Sequence, residues 1–403
     1  MSFSGEPYFA VIVGAGLSGA TLAERIATRL GKRVLVVDRR DHVAGNVFDE
    51  VRADSGLLES RYGAHLFHTD DEPVWRYLQA FATWRRWDHR VVTWARAPGG
   101  DADRLVPVPA NITTVNALFG ADLRDEAEMR AWMAREREGQ RGEAQAANSE
   151  EVALARVGPR LYAALFRDYT LKQWGVGAHA LEPDVLRRIP VRESFDDRYF
   201  PDRFQALPEG GYAALVGRML AHPLITVRLG ADFFEHRAAL EAAASHWLIY
   251  TGPVDAFFPD AGLPKLEYRS IRFSREVREC SGFAQANSVV NYARADVPFT
   301  RTIEYKHFLH QASPKTALVS ETTADEGEPF YPLPTRRNVE LHAQYQALVR
   351  AAEARATAPR VRFVGRLATY KYINMDAAVK LALALFEELA AAGDFASEAE
   401  PRT

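Results

Sequence analysis

Three glycines and one acid carry the first recognisable chemistry in this chain. Gly14, Gly16 and Gly19 follow directly on the apolar run Phe9 to Val13, and Asp38 closes a second apolar run from Val34 to Val37. This Gly-x-Gly-x-x-Gly spacing, between a strand and a helix, is that of a dinucleotide-binding βαβ unit. Gly14 permits a tight turn, Gly16 lets the backbone approach a pyrophosphate, and Gly19 lets helix and strand pack closely. The helix start, near Ser18, offers free N–H groups and a favourable dipole to the anion. Asp38 is placed to accept hydrogen bonds from a ribose 2′-hydroxyl, which disfavours the 2′-phosphate of NADP. A second chemical segment runs from Phe363 to Asp376. Its strand-loop-helix pattern is one that returns to the cofactor in dinucleotide-binding flavoproteins. Arg366 would neutralise a phosphate, and the final helix start, capped by Asp376, would face the flavin.

Other candidate groups are weaker when read alone. His65 and His68 have a His-x-x-His spacing, but no third ligand lies at metal-binding distance along the chain, so no metal is expected. Arg188 stands near Glu182 and Asp184, and Arg301 near Glu304. Each arginine fits either an anion grip or an ordinary ion pair. No Ser-His-Asp or Cys-His set is evident.

The elements that must position these groups show an α/β pattern. A helix is expected from Ser18 to about Leu30. A strand-like Arg90 to Trp94 precedes a turn at Pro98 to Asp101. From about Asn111 to Phe166 the pattern becomes helical, with the mixed charges of solvated faces. Residues 186–206 are irregular and rich in arginine and aromatics. Short strand-like runs at Tyr268 to Phe273, Ser288 to Tyr292 and Ala317 to Ser320 predict an antiparallel sheet. The chain returns to α/β with a buried strand, Val361 to Gly365, and an amphipathic helix, Asp376 to Ala391. The expected organisation is a discontinuous FAD-binding Rossmann-like domain (1–85, 207–262 and 335–395) with a helical insertion (110–185). An antiparallel β-sheet domain (86–109, 186–206 and 263–334) completes it.

Composition narrows the function classes. The chain has 403 residues, 47% apolar and 26% charged, with a net charge of −3, as in ordinary globular proteins of two or three domains. No global charge attracts nucleic acid or an acidic membrane. The one cysteine, Cys280, excludes an internal disulfide and reads as a buried structural thiol. No membrane span or signal peptide is expected, which places the protein in the cytoplasm.

Over nearly its whole length the chain resembles the prokaryotic UDP-galactopyranose mutases. The matching segments are Arg61 to Thr69, Tyr169 to Gly175, Arg188 to Arg192, Phe195 to Phe200, Asp202 to Gln205 and Pro208 to Tyr212. They continue with Val290 to Tyr292, Pro298 to Arg301, Lys306 to Phe308, Tyr331-Pro332 and Gly365 to Asp376. The resemblance implies an FAD enzyme, active when the flavin is reduced, that interconverts the pyranose and furanose rings of UDP-galactose. The route it implies is a covalent adduct between flavin N5 and sugar C1, serving galactofuranose-containing glycans. It further implies a cellular flavin reductant such as NAD(P)H and a homo-oligomer.

The site roles below are what the resemblance implies. Arg188 and Arg301 grip the diphosphate, a use that suits guanidinium forks as charge grows on the leaving UDP. Tyr199, Tyr331 and Tyr372 add hydroxyls. Phe166, Tyr169 and Thr170 form the uridine pocket, Trp174 stands beside the sugar, and Asn291 lies near sugar or flavin. Read without the resemblance, Phe166, Tyr169 and Trp174 are helix core at helical spacing. His65 and His68 flank the isoalloxazine, with His68 in the catalytic set. Arg39, Asn46 and Met375 join the cofactor residues. The chain departs from the family pattern at Ala110, at Ala293-Arg294 and at Ser320-Glu321-Thr322-Thr323, which leaves a related nucleotide sugar as an alternative. An amine-oxidase-like flavin oxidoreductase is the other alternative, although it would have no use for a diphosphate grip.

Overall fold

The computed structural model describes residues 7–187 and 191–391. Apolar, β-branched runs form a five-stranded parallel sheet in the order Ile225–Leu229, Val34–Asp38, Tyr8–Val13, Ala244–Tyr250, Arg360–Phe363. The three inner strands are almost wholly buried, as expected for strands covered on both faces. Helix Leu17–Leu30 connects the first two strands and packs against the final helix, Met375–Ala391. Strand Arg360–Phe363 is an edge strand and only half buried along its length, where the sequence had suggested a buried one.

A seven-stranded sheet forms the second layer, in the order Tyr331–Pro332, Tyr268–Glu279, Lys315–Ala324, Arg301–Glu304, Val289–Tyr292, Val91–Ala95, Arg104–Val108. It is antiparallel except at one seam, where Val289–Tyr292 runs parallel to Val91–Ala95. The expected antiparallel sheet thus carries one parallel pairing. The chain returns to Val91–Ala95 from far along the sequence, so no hairpin fixes the direction.

Helices Ile112–Phe119, Glu126–Glu136 and Ser149–Leu161 form the expected helical insertion, each capped by an Asn or Asp side chain. A single π-helical turn, Tyr162–Phe166, leads into helix Arg167–Trp174. Buried residues from these helices share one core with Val106 of the large sheet and with Ala293 and Leu333, which directly follow two of its strands. Cys280 is partly exposed rather than buried. Among the described residues no helix is long and apolar enough to cross a membrane.

Candidate functional site

The glycine turn is built as its spacing implies. Gly14 has φ +111°, and a Cβ there would lie 2.0 Å from Thr251 Oγ1; a Cβ on Gly19 would lie 2.0 Å from the Gly14 carbonyl oxygen. Both are glycine for the protein's own packing. Gly16 differs, since its Cβ would meet only Gly45 Cα, at 3.8 Å. Its free side opens on a cleft, so no contact within the protein requires glycine there. Asp38 Oδ2 accepts from the Ala15 N–H (2.8 Å) and Oδ1 from the Arg40 N–H (2.9 Å). Two bonds fill only half of a carboxylate's acceptor capacity, which leaves room for ribose hydroxyls.

The cleft gathers Gly14, Gly16, Gly19, Asp38, Arg39, Asn46, His65, Arg366 and Met375 along one wall system. It runs from the end of the second strand to the start of the final helix, a reach that suits an extended dinucleotide. Arg39 pairs with Glu328, and Asn46 accepts from Arg40 at 2.9 Å. The Asn374 carbonyl accepts the Ala378 N–H. Asp376 therefore lies in the first turn instead of capping it, and its Oδ2 accepts from the Thr69 hydroxyl at 3.0 Å.

Two histidines face this region in different ways. His65 Nδ1 donates to the Gly63 carbonyl at 2.8 Å, so Nε2 carries the lone pair. Burial pushes the His65 imidazole down to about 3, and the nearby Arg366 charge adds to the shift. His68 donates from Nδ1 to Asp202 Oδ2 (3.1 Å), accepts at Nε2 from Asn374 Nδ2 (3.3 Å), and stacks on Phe200 with ring centroids 3.6 Å apart. Both of its nitrogens are engaged.

Beside the cleft stands a cluster of rings and one arginine. Tyr331 and Tyr372 meet edge to face at 5.0 Å, and Trp174 lies 5.7 Å from Tyr372. The Arg366 guanidinium lies 5.4 Å from the Tyr331 ring centre and 5.7 Å from that of Tyr372. It donates to the carbonyls of Ile373 and Phe330. Arg301, at the start of its strand, donates from Nε to Glu321 Oε2 at 2.6 Å. This is its ion pair, where Glu304 had been the candidate. Burial opposes the Arg301 charge, but Glu321, Tyr169 and Tyr331 together more than offset it and hold the guanidinium well above its usual value. Burial raises Tyr169, with Arg301, Tyr199, Glu321 and Tyr372 as its charged and polar neighbours. Burial and Tyr372 push Tyr331 up to about 12, so its hydroxyl remains a donor at neutral pH.

Phe166 and Trp174 are 8% and 5% exposed and belong to the helical core, yet Trp174 also faces the tyrosines. Their core reading is what the packing shows. Thr170 is buried beside them, and Asn291 Oδ1 and Glu321 Oε1 are buried without a hydrogen-bond partner. Arg188 lies outside the described residues. Two groups escaped the sequence reading. His89 is buried and pushed down to about 3 by burial, with Arg301 and His68 adding to the shift. Glu321 is the other, hidden because its arginine lies across a strand pair.

This arrangement, a glycine-turn cleft beside an arginine-tyrosine cluster, is that of a Rossmann-like nucleotide-binding fold joined to a second, sheet-and-helix layer. The UDP-galactopyranose mutase family model matches residues 164–372, and an NAD(P)-binding Rossmann-like domain matches residues 12–81. A probable UDP-galactopyranose mutase from Klebsiella pneumoniae is 32% identical over 94% of each chain. A dTDP-fucopyranose mutase from Escherichia coli is also 32% identical, over 93% of this chain and 96% of its own. The crystal structure of a reduced UDP-galactopyranose mutase superposes with TM-score 0.73 at 15% identity, covering 96% of both chains. The chain belongs to the UDP-galactopyranose mutase family, whose members are isomerases.

Proposed function

We propose that this chain interconverts UDP-galactopyranose and UDP-galactofuranose on bound FAD, for galactofuranose-containing glycans. One observation carries the reading. Arg366 lines the nucleotide cleft and at the same time lies over Tyr331 and Tyr372. The far end of the cofactor and the diphosphate grip would therefore meet at a single segment. When bound and reduced, the flavin supplies the electron pair that replaces UDP at the sugar's anomeric carbon; a cellular reductant such as NAD(P)H would keep it reduced.

The side chains do the rest. Arg301, with Arg188, would take the growing charge on the departing diphosphate. Tyr331 stays protonated at neutral pH and donates a hydrogen bond to the same group. Phe166, Tyr169 and Thr170 would seat the uracil on helix Arg167–Trp174. Trp174 would wall the sugar from water. His65 presents Nε2 as an acceptor, and its low pKa keeps it from adding a charge that would compete for the leaving group. His68, held on both sides, would orient the ligand rather than move a proton. Asn291 and Glu321 retain free acceptor capacity for sugar hydroxyls.

A second reading rests on the dTDP-fucopyranose mutase relative, which is 32% identical to this chain, as the Klebsiella protein is. The test supplies UDP-galactopyranose and dTDP-fucopyranose separately to dithionite-reduced, FAD-loaded protein and resolves products by chromatography. The UDP-galactose reading expects the furanose isomer, formed only by reduced protein and without stoichiometric hydride consumption. Turnover by oxidised protein, or one hydride per product, would instead support an amine-oxidase-like oxidoreductase.

A further inference from the structure

Lys172 has no part in the roles above, yet it stands on the helix that carries Tyr169, Thr170 and Trp174. Its ammonium donates to three backbone carbonyls: Tyr292 at 2.6 Å, Phe299 at 3.0 Å and Val297 at 3.1 Å. An ammonium has three donors, so all are used, and none goes to a carboxylate. Asp168 and Asp296 are the acids whose charges act on it. Each is bonded to an arginine, Asp168 to Arg167 and Asp296 to Arg294.

The three carbonyls belong to one turn. It leaves strand Val289–Tyr292, which bears Asn291, and enters strand Arg301–Glu304, which opens with Arg301. The Tyr292 N–H donates to the Thr300 carbonyl at 2.9 Å and closes the turn on itself. A second clasp comes from the neighbouring strand. The Thr323 hydroxyl donates to the Lys172 carbonyl and accepts from Arg269 Nη2 at 2.9 Å. Lys172 is thus held to the sheet through both its side chain and its backbone. A partly buried cation among neutral carbonyls is a costly way to fill space, and a hydrocarbon side chain would do so more cheaply. What the cation adds is direction: it ties one helix to one turn at a fixed distance.

We infer that Lys172 is a positioning residue that sets the spacing between the nucleobase pocket on its own helix and the diphosphate grip at Arg301. The inference rests on the proposed binding of UDP across those two places. A ligand that spans two sites gains affinity only when their separation matches its own length. Lys172 would therefore govern how much the diphosphate adds to the binding of uridine, while touching neither.

The experiment measures dissociation constants of uridine and of UDP by calorimetry on the FAD-loaded protein. The readout is the ratio of the uridine constant to the UDP constant. Lys172→Met should lower that ratio by about tenfold while uridine affinity stays close to wild type. The change should vanish in a background of Arg301→Met with Glu321→Gln, because the contact that Lys172 positions is already gone. Equal weakening of uridine and UDP would overturn the inference, as would a loss that adds in full to that of the Arg301 background. Should Lys172→Met fail to fold, Lys172→Gln, shorter and uncharged, should lower the ratio by a smaller factor, and an unchanged ratio in that variant overturns the inference. A wild-type ratio near one would overturn the UDP reading and this inference with it. A wild-type gain that the Lys172 variants retain overturns this inference alone.

Discussion

Adding one methyl at Gly16 should separate cofactor binding from folding. Gly16 has φ −78° and ψ −174°, extended backbone that alanine adopts without strain. Its added Cβ would stand 3.8 Å from Gly45 Cα and meet nothing else of the protein. Apo Gly16→Ala should therefore be as stable as wild type, or more so by about 0.4–1 kcal/mol through the entropy of the unfolded chain. The methyl projects where a pyrophosphate must approach the helix N-terminus. Losing one charge-assisted N–H bond there costs about 1.5–3 kcal/mol, or roughly 10- to 150-fold in FAD affinity. Gly19→Ala is the counter-example. Its Cβ would fall 2.0 Å from the Gly14 carbonyl oxygen, which is backbone and cannot swing aside. That variant should lose about 1–3 kcal/mol of apo stability, as other overpacked sites do. Thermal unfolding of apo protein and fluorescence titration with FAD read the two effects separately. If Gly16→Ala binds FAD within about twofold of wild type, the phosphate does not sit at this turn and the cofactor assignment of the cleft is wrong.

Three further outcomes are expected. Replacing Arg301 by Met together with Glu321→Gln should lower turnover on the order of 10²-fold or more with FAD content unchanged; near-normal turnover would refute the diphosphate role. The double change is needed because Glu321 is 2% exposed and would otherwise lose its cation inside the protein. Tyr331→Phe should cost about tenfold in kcat/KM through one lost donor, and equal rates would place its hydroxyl away from the substrate. Burial tends to raise the Glu304 carboxyl, but bonds from His307, Thr316 and the N–H groups of Ala284 and Gln285 hold it down to about 2. The folded state then releases this proton more readily than the unfolded one, so the stabilisation is present above the ordinary glutamate range near 4.5 and is lost as pH falls towards 2. Denaturant unfolding along a pH series should show a shallower acid decline for Glu304→Gln, and an unchanged slope would refute the linkage.

What the sequence made legible was local. The glycine turn, its helix and Asp38 lie within 25 residues and announce themselves by spacing alone. The same holds for the helical character of the insertion, since its period sits in one window, although its caps were not picked out. Pairings across the sheet were hidden. Arg301 finds Glu321 because the two strands register those residues opposite one another. Glu304 was the nearer acid in sequence, but on a strand residues three apart point to opposite faces, so that pairing was excluded by parity alone once the segment was read as a strand. The parallel seam between Val289–Tyr292 and Val91–Ala95, and the approach of His89 to His68 and Arg301, join segments far apart in sequence. No turn or period connects them, so only the folded chain reveals them.

The charges at the site explain why its polar groups are partnered as they are. Arg301 is balanced by Glu321, so that pair adds direction to an anion site but little net charge. Arg366 is treated differently. Among the described residues no carboxylate pairs with it, and its guanidinium is fixed by the carbonyls of Ile373 and Phe330. Neutral acceptors hold the side chain still without cancelling its charge, which is what a preorganised electrostatic site requires. His65, close enough to feel that charge, is kept uncharged by burial and by Arg366 itself, so the two do not compete as cations. Among the described residues Arg366 is thus an immobile guanidinium whose charge no carboxylate cancels, at the junction of the cleft and the tyrosine cluster, and both a flavin that gains negative charge on reduction and a departing diphosphate would draw on it.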